Sequence, residues 1–342
     1  DARLRGNDGS AQGHDGGARS LVIAPQWIGD AVMTEPLLRR LHARGEQLTV
    51  GALPWVAPVY RAMPQVAAVI EFPFQHGGLQ LQARRRLGRE LQGRFDIAYV
   101  LPNSLKSALL PLLAGIPRRV GYLGEARVGL LTHRLKNPKH KPPMVAFYSA
   151  LSGEPGVEFD RPQLALPEAQ LSAVLQAHGL ARGGYVAFAP GAEFGPAKRW
   201  PHYAALAGLL DERIVLLGSA KDAPFCEEIA AAAPGRVLQL AGRTPLGDAF
   251  ALVAGARAVV SNDSGLMHVA AAFGVPQVAL FGSSSPLHTP PLNDRAQVLW
   301  LKQDAACQPP LDCAPCFERE CPLGHTRCLA DIDAPRVRAR LS

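Results

Sequence analysis

Nowhere in its 342 residues is the chain apolar for the about 18 positions that a bilayer crossing needs. The nearest run, 108–116, is short and is interrupted by Pro111. No secretory signal is recognisable either, so a soluble, cytoplasmic protein is expected. The first apolar strand is not followed by G-x-G-x-x-G, and G-x-x-x-x-G-K-[ST] is missing altogether. These absences disfavour a dinucleotide oxidoreductase and a P-loop NTPase. Outside the tail there is no H-x-x-x-H and no acidic metal cluster, so no metal and no cofactor is expected. Aromatic residues make up only 6% of the chain, and no basic platform interleaved with them is present. Nucleic acid is therefore not the expected partner.

Apolar residues are plentiful, at 48%, and the length exceeds one ordinary core, which predicts two domains. Residues 1–19 are Gly- and Asp-rich with almost nothing to bury, and read as a disordered leader. Strands are predicted at 20–25, 48–53, 66–72, 95–101 and 118–123, with amphipathic helical segments between them. After a Pro- and Gly-rich stretch the alternation resumes, with strands at 184–192, 213–219, 236–242, 256–263 and 276–283. Strand–helix alternation predicts parallel α/β sheets. The boundaries read as a first domain at 20–160 and a second at 161–325, with a linker near 153–183. A C-terminal segment, 326–342, is expected to pack back toward the first domain.

Charge is unevenly placed. Residues 20–160 hold 17 Lys/Arg against 10 Asp/Glu, whereas 161–342 hold 16 of each. The first half therefore either faces something anionic or simply carries a solubilising surface.

Ligands of open parallel sheets bind at the carboxyl ends of strands, and three such ends are polar and contain glycine. In "VVSNDSGLMHVAAAFGVP" (259–276) a strand ends at Ser261, a polar turn follows, and a helix opens near Gly265 with Asp263 or Ser264 as its cap. Free N–H groups and the positive dipole end favour phosphate there, although a plain N-cap has the same residues. Leu266 lies in that first turn, and His268 either reaches the same ligand or packs. "FAPGAEFGPAKRWPHYAAL" (188–206) has a turn at Gly191, then Lys198 beside Arg199, with Pro201 suited to start a helix. A lysine there could neutralise a leaving diphosphate without a metal. "LFGSSSPLHTPP" (280–291) is the third. In the first domain, "LVIAPQWIGDAVMTEPLLRRLHARG" sets Asp30 after Gly29 at a strand-to-helix turn, as a helix cap or as a catalytic base.

Together, "APQWIGDAVMTEPLLRRL", "PGAEFGPAKRWP", "LLGSAKD" and "SNDSGLMHVAAAFGVPQVALFGSSSPLHTPPL" resemble the bacterial ADP-heptose:lipopolysaccharide heptosyltransferases. The resemblance spans 21–292 and is nearest to the enzyme that adds the second inner-core heptose. It implies a GT-B fold, two Rossmann-like domains facing across a cleft, and inverting transfer of heptose from ADP-heptose. The implied acceptor is the first heptose of Hep-Kdo2-lipid A at the inner face of the inner membrane, and the enzyme is expected to act as a monomer. By resemblance the base falls on Asp30 and the phosphate-contacting lysine on Lys198. The donor loop falls on Asp263, Ser264, Gly265, Leu266 and His268, flanked by Gly29 and Gly191, and the ribose-holding acid on Asp222. Candidates to grip an acidic acceptor are Arg61, the Arg84–Arg86 run, Lys106, Arg118, Arg119 and the "KNPKHK" segment. Another donor or core acceptor, or a non-catalytic sugar-nucleotide binder, is the alternative.

The tail "CQPPLDCAPCFERECPLGHTRC" gathers Cys307, Cys313, Cys316, Cys321 and Cys328 beside His325, whereas Cys226 stands apart. The spacing matches no standard pair of zinc knuckles. Reduced thiols in a loop are the reading, with zinc ligation the alternative.

Overall fold

Two six-stranded sheets, every strand pair parallel, carry the molecule, a computed structural model describing residues 17–75, 78–154 and 160–341. The first comprises β1 (Arg19–Ile23), β2 (Gln47–Ala52), β3 (Val66–Glu71), β4 (Ile97–Val100), β5 (Arg118–Tyr122) and β6 (His133–Leu135). Their spatial order is 3-2-1-4-5-6. The second comprises β7 (Tyr185–Ala189), β8 (Arg213–Leu216), β9 (Val237–Gln239), β10 (Ala258–Asn262), β11 (Gln277–Phe281) and β12 (Ala296–Trp300). There the order is 12-11-10-7-8-9, so each sheet reverses direction beside its first strand. A crevice opens at such a reversal, at the strands' carboxyl ends.

The central strands are buried on both faces because helices cover both sides of a parallel sheet. β4, β7, β10 and β11 are buried at every residue, and β1 at all but Arg19. One apolar core runs without a break from the first domain, through Val22, Leu38 and Tyr60, into the second at Phe250, Val253 and Val269. The domains thus share a hydrophobic seam. Backbone bonds lace it: Ala165 N–H donates to Ala62 at 2.8 Å, and Leu164 N–H to Ala272 at 3.2 Å. Glu35 accepts from Gln163 N–H (3.1 Å) and Gln65 Nε2 (2.9 Å), which ties the irregular segment at 160–167 to the helix Glu35–Ala43.

Several expectations change. The leader was drawn to residue 19, but Arg19 opens β1 and its side chain pairs with Asp96; residues 1–16 lie outside the described residues. The linker drawn at 153–183 contains the helix Glu168–Ala177, whose Leu171, Val174 and Leu175 are buried in the shared core. β6 and β12 were not foreseen. The C-terminal segment packs on the second domain. Ile332, Val337 and Leu341 are buried in the second domain's outer core with Trp200 and Leu206. Trp200 Nε1 donates to Ile332 O (2.7 Å), and Arg257 Nη1 to Leu341 O (2.6 Å). Buried apolar side chains decide where a tail goes, and here those side chains meet the helix Tyr203–Leu209. Among the described residues no helix is long and apolar enough to cross a membrane.

Candidate active site

β1 delivers the chain through "APQW" into the short helix Ile28–Met33, whose third residue is Asp30. No side chain caps that helix, and Asp30 is engaged elsewhere. Tyr148 Oη, on the helix Met144–Ser149, donates to Asp30 Oδ1 at 3.0 Å. Asp30 keeps some surface in the cleft but is ringed by protein, and lost hydration pushes its carboxyl up to about 6. The Tyr148 bond opposes that rise, Asp263 adds to it, and Lys198 opposes it. Asp30 therefore feels charges from both loops of the opposite domain. The cap reading fails: this carboxylate faces the cleft.

Across the cleft β10 ends in Asn262, and the helix Gly265–Ala272 follows. Ser264, at its N-cap, makes no side-chain cap bond, so the first-turn amides keep their donors. Lys198 Nζ sits 2.5 Å from Asp263 Oδ2, with both side chains mostly buried. Its ammonium also lies 5.0 Å from the centre of the Phe194 ring. Asp263 thus holds the lysine at the mouth of the helix. His268 is buried one turn in, and burial pushes its imidazole down to about 4, with Asp263 opposing and Lys198 adding to the drop. A ring with a value that low is uncharged near neutral pH.

Two glycines let the halves meet. A Cβ on Gly29 would lie 2.8 Å from His268 Cδ2, and one on Gly265 2.8 Å from Ile28 Cβ. The helix Ile28–Met33 and the helix Gly265–Ala272 therefore touch, and at these two contacts there is no room for a side chain. Gly191 is crowded in the same way by Asp222, whose Oδ2 would be 2.7 Å from an added Cβ.

Asp222 is placed at the cleft edge of the second domain, but its carboxylate is already in use. Oδ2 accepts from Ser219 N–H (2.9 Å) and Ser219 Oγ (2.7 Å), closing a capping box, and Arg199 lies 3.9 Å from Oδ1. Leu266 is half-buried against the shared core.

Of the basic candidates, Lys106, near the start of the helix Leu105–Leu113, and Arg84 line one cavity at the carboxyl end of the first sheet. Arg118 and Arg119 open β5 and so lie at the sheet's opposite edge; Arg119 donates to Ile116 O (2.6 Å) and Leu130 O (2.7 Å). Arg61 is exposed and paired with Glu71 at 2.5 Å. In the "KNPKHK" segment, Lys141 lies 4.0 Å from the Phe317 ring centre, a contact between the first domain and the tail.

Three residues escaped the sequence reading. Asn262 Nδ2 donates to Pro190 O (2.8 Å) while its Oδ1 accepts from Trp200 N–H (3.1 Å), stitching the Lys198 loop to β10. The adjoining "SND" was the available signal. Tyr148 had none, being 118 residues from Asp30. His288 bridges the domains: Met144 N–H donates to its carbonyl (2.9 Å), and its Nδ1 lies 2.6 Å from Pro142 O.

All six cysteines are free; Cys226 is buried in the core. Cys313, Cys316, Cys321 and Cys328 line one small cavity with His325 and Ser283. Among the described residues, no three or more His, Cys, Asp or Glu side chains are grouped so as to hold a metal ion.

Comparison with known proteins places the fold in a family. The family model described as glycosyltransferase family 9 (heptosyltransferase) matches residues 84–327. Lipopolysaccharide heptosyltransferase 2 of Escherichia coli K12 is 46% identical over 304 residues, covering 82% of this chain and 87% of that protein. Lipooligosaccharide heptosyltransferase 2 of Haemophilus influenzae is 42% identical over 304 residues, covering 82% and 88%. Among solved structures, E. coli ADP-heptose lipopolysaccharide heptosyltransferase II aligns with a TM-score of 0.81 and 40% identity, over 94% of this chain and 97% of that one.

Proposed function

Since the chain belongs to glycosyltransferase family 9, the heptosyltransferases, we propose that it transfers heptose from ADP-heptose to the first heptose of the lipopolysaccharide inner core, at the cytoplasmic face of the inner membrane. The observation that carries the mechanism is the meeting of Asp30 with the Lys198–Asp263 pair and the open helix start at Gly265.

In this reading the ADP diphosphate lies against the amides of Ser264, Gly265 and Leu266, with Lys198 beside it. The acceptor hydroxyl hydrogen-bonds to Asp30 Oδ2, since Tyr148 occupies Oδ1. Its oxygen attacks the anomeric carbon from the face opposite the diphosphate. A C–O bond forms, the bond to the diphosphate breaks, the electron pair leaves with ADP, and the proton passes to Asp30. Lys198 and the helix start stabilise the charge that grows on the leaving group. A carboxyl near 6 is ionised at pH 7 yet basic enough to take that proton.

The test is transfer from ADP-heptose to lipid-free Hep-Kdo2 acceptor. Asp30→Asn is expected to lower kcat by about 10²–10⁴-fold with ADP affinity retained. Undiminished transfer would remove the base assignment. A wild type that binds ADP-heptose and glycosylates no acceptor would leave a binding protein.

A further inference from the structure

The carboxylate in the cleft is held by a residue from far along the chain. Asp30 Oδ1 accepts from Tyr148 Oη at 3.0 Å, across 118 positions of sequence. Tyr148 is buried, and burial together with the Asp30 charge pushes its phenol well above the ordinary tyrosine value. It therefore keeps its proton and donates. The two oxygens of a carboxylate exchange places by rotation about the Cβ–Cγ bond, a broad torsion with little preference of its own. A donor fixed on one oxygen stops that rotation and leaves the other as the acceptor.

The donor is itself fixed, and from both domains. Its helix, Met144–Ser149, begins where Met144 N–H donates to His288 O at 2.9 Å. His288 Nδ1 lies 2.6 Å from Pro142 O, and because a carbonyl only accepts, Nδ1 carries the proton. His288 follows β11 in the second domain, whereas Pro142 and Met144 belong to the first. On the first-domain side Phe147 stacks on Tyr122 with ring centres 4.0 Å apart, and Tyr122 Oη donates to Phe147 O at 2.7 Å. The Phe147 ring meets Tyr148 edge-on, with centres 5.6 Å apart. A side chain locked by packing and by hydrogen bonds around it holds its partner to one geometry.

The other groups near Asp30 are committed elsewhere. From the helix Ala57–Arg61, Tyr60 Oη lies 3.2 Å from Thr34 Oγ1, and Arg61 pairs with Glu71. From the helix Glu35–Ala43, Glu35 is engaged by Gln163 and Gln65. Across the cleft Lys198 and Asp263 are bonded to each other, and His268 is uncharged near neutral pH. Among the described residues, Tyr148 is the one side chain that donates to the Asp30 carboxylate. We propose that Tyr148 is a positioning residue for the base: its hydroxyl holds the Asp30 carboxylate in one orientation, and His288 seats that tyrosine from the second domain. The base is thereby set by contact between the two halves of the molecule.

The inference rests on the transferase reading above, and the experiment separates the two. The Asp30 carboxyl is titrated by carbon NMR in protein labelled at aspartate Cγ, its signal identified by its absence from Asp30→Asn. Transfer from ADP-heptose to lipid-free Hep-Kdo2 acceptor is followed over the same pH range for wild type, Tyr148→Phe, Tyr60→Phe, His288→Ala and Asp30→Asn. A hydrogen bond to a carboxylate favours its charged form, so Tyr148→Phe should raise the Asp30 midpoint by about 1 on the pH scale. The rising limb of kcat/KM should move with it, which lowers activity about tenfold at any pH on that limb. On the plateau above it, kcat should fall about tenfold from lost orientation while the ADP-heptose KM stays within about twofold. Tyr60→Phe removes a like hydroxyl from the same core and should leave the midpoint in place; an equal rise there would reduce the Tyr148 effect to packing and overturn the proposal. His288→Ala should move the midpoint in the same direction by less, and an unmoved midpoint would overturn the second-domain seat. Should Tyr148→Phe fail to fold, judged by loss of ADP binding, wild type decides. One of its six tyrosine Cζ signals should follow the Asp30 midpoint and stay flat in Asp30→Asn, and the lack of such a signal would overturn the proposal. If the midpoint or the kinetic limb of Tyr148→Phe stays at the wild-type pH while Asp30→Asn is inactive, the positioning role is wrong and the transferase reading stands. If wild type transfers to no acceptor, the transferase reading itself falls.

Discussion

Asp30 is a carboxylate that burial makes more basic. Its burial raises the folded-state value from 3.8 to about 6, so ionisation costs more in the native protein than in the unfolded chain. The sign follows: the stabilising contribution is complete below about pH 4 and is lost as pH rises through 6. Asp30→Asn should therefore stabilise the protein at pH 8 by up to about 2 kcal/mol, and by much less at pH 4, in urea titrations. In the same pH series, wild-type kcat/KM should climb as pH passes through about 6, because the proposed base must be ionised in the free enzyme. A profile flat from 5 to 8 would contradict it. Lys198→Ala should reduce kcat by about 10²–10³-fold, since in the proposed mechanism it removes a preorganised charge at the leaving group, and it also leaves Asp263 without its partner. Product inhibition by ADP, measured alongside, should weaken in the same variant.

At the scale of elements, the two helices that meet at the cleft come this close only because glycine stands at each contact. The Gly265 Cβ position lies against Ile28 Cβ, a branched atom that cannot swing away. Gly265→Ala should therefore hold the cleft more open, lowering kcat at least tenfold with a smaller effect on ADP binding, which isothermal titration would report. This contact was not legible in "SNDSGLMH". A glycine after a cap residue reads as a phosphate approach, and the same glycine also faces the other domain. Asn262 and Tyr148 teach a related lesson. Strand ends could be located from apolar periodicity, but which side chain stitches two loops together depends on partners 62 and 118 residues away. β6 was missed because "HRL" is three residues long and polar at an edge, where no burial enforces an apolar pattern. The basic candidates divided for a similar reason. Arg118 and Arg119 stand at the start of a parallel strand, and a charge count carries no information about which edge of the sheet it decorates.

At the scale of the molecule, Glu35 couples the domains. Burial lifts its carboxyl from 4.5 to about 7, against Arg39 and the donors Gln163 and Gln65. The stability it lends is complete below about pH 4.5 and disappears as pH rises through 7. Raising pH from 5 to 8 should weaken the seam, and Glu35→Gln should flatten that dependence by about 1–3 kcal/mol in unfolding curves. The tail is the other whole-molecule device. Ile332 is fully buried under Trp200, so Ile332→Ala should cost about 2–5 kcal/mol and unfold the second domain first, a loss that thermal melts with and without ADP would resolve.

Local order in the chain is enough for most strands, for the alternation that forces two parallel sheets, and for the three polar strand ends where an anion can bind. These follow from periodicity, propensity and free backbone donors, all properties of neighbours in sequence. Tertiary structure alone turned Asp30 from a cap into a cleft carboxylate under Tyr148, sent the tail to the second domain, and buried Arg84 out of a run of three arginines. Each of those outcomes depends on dehydration, and how much water a group loses is set by side chains that arrive from distant parts of the chain.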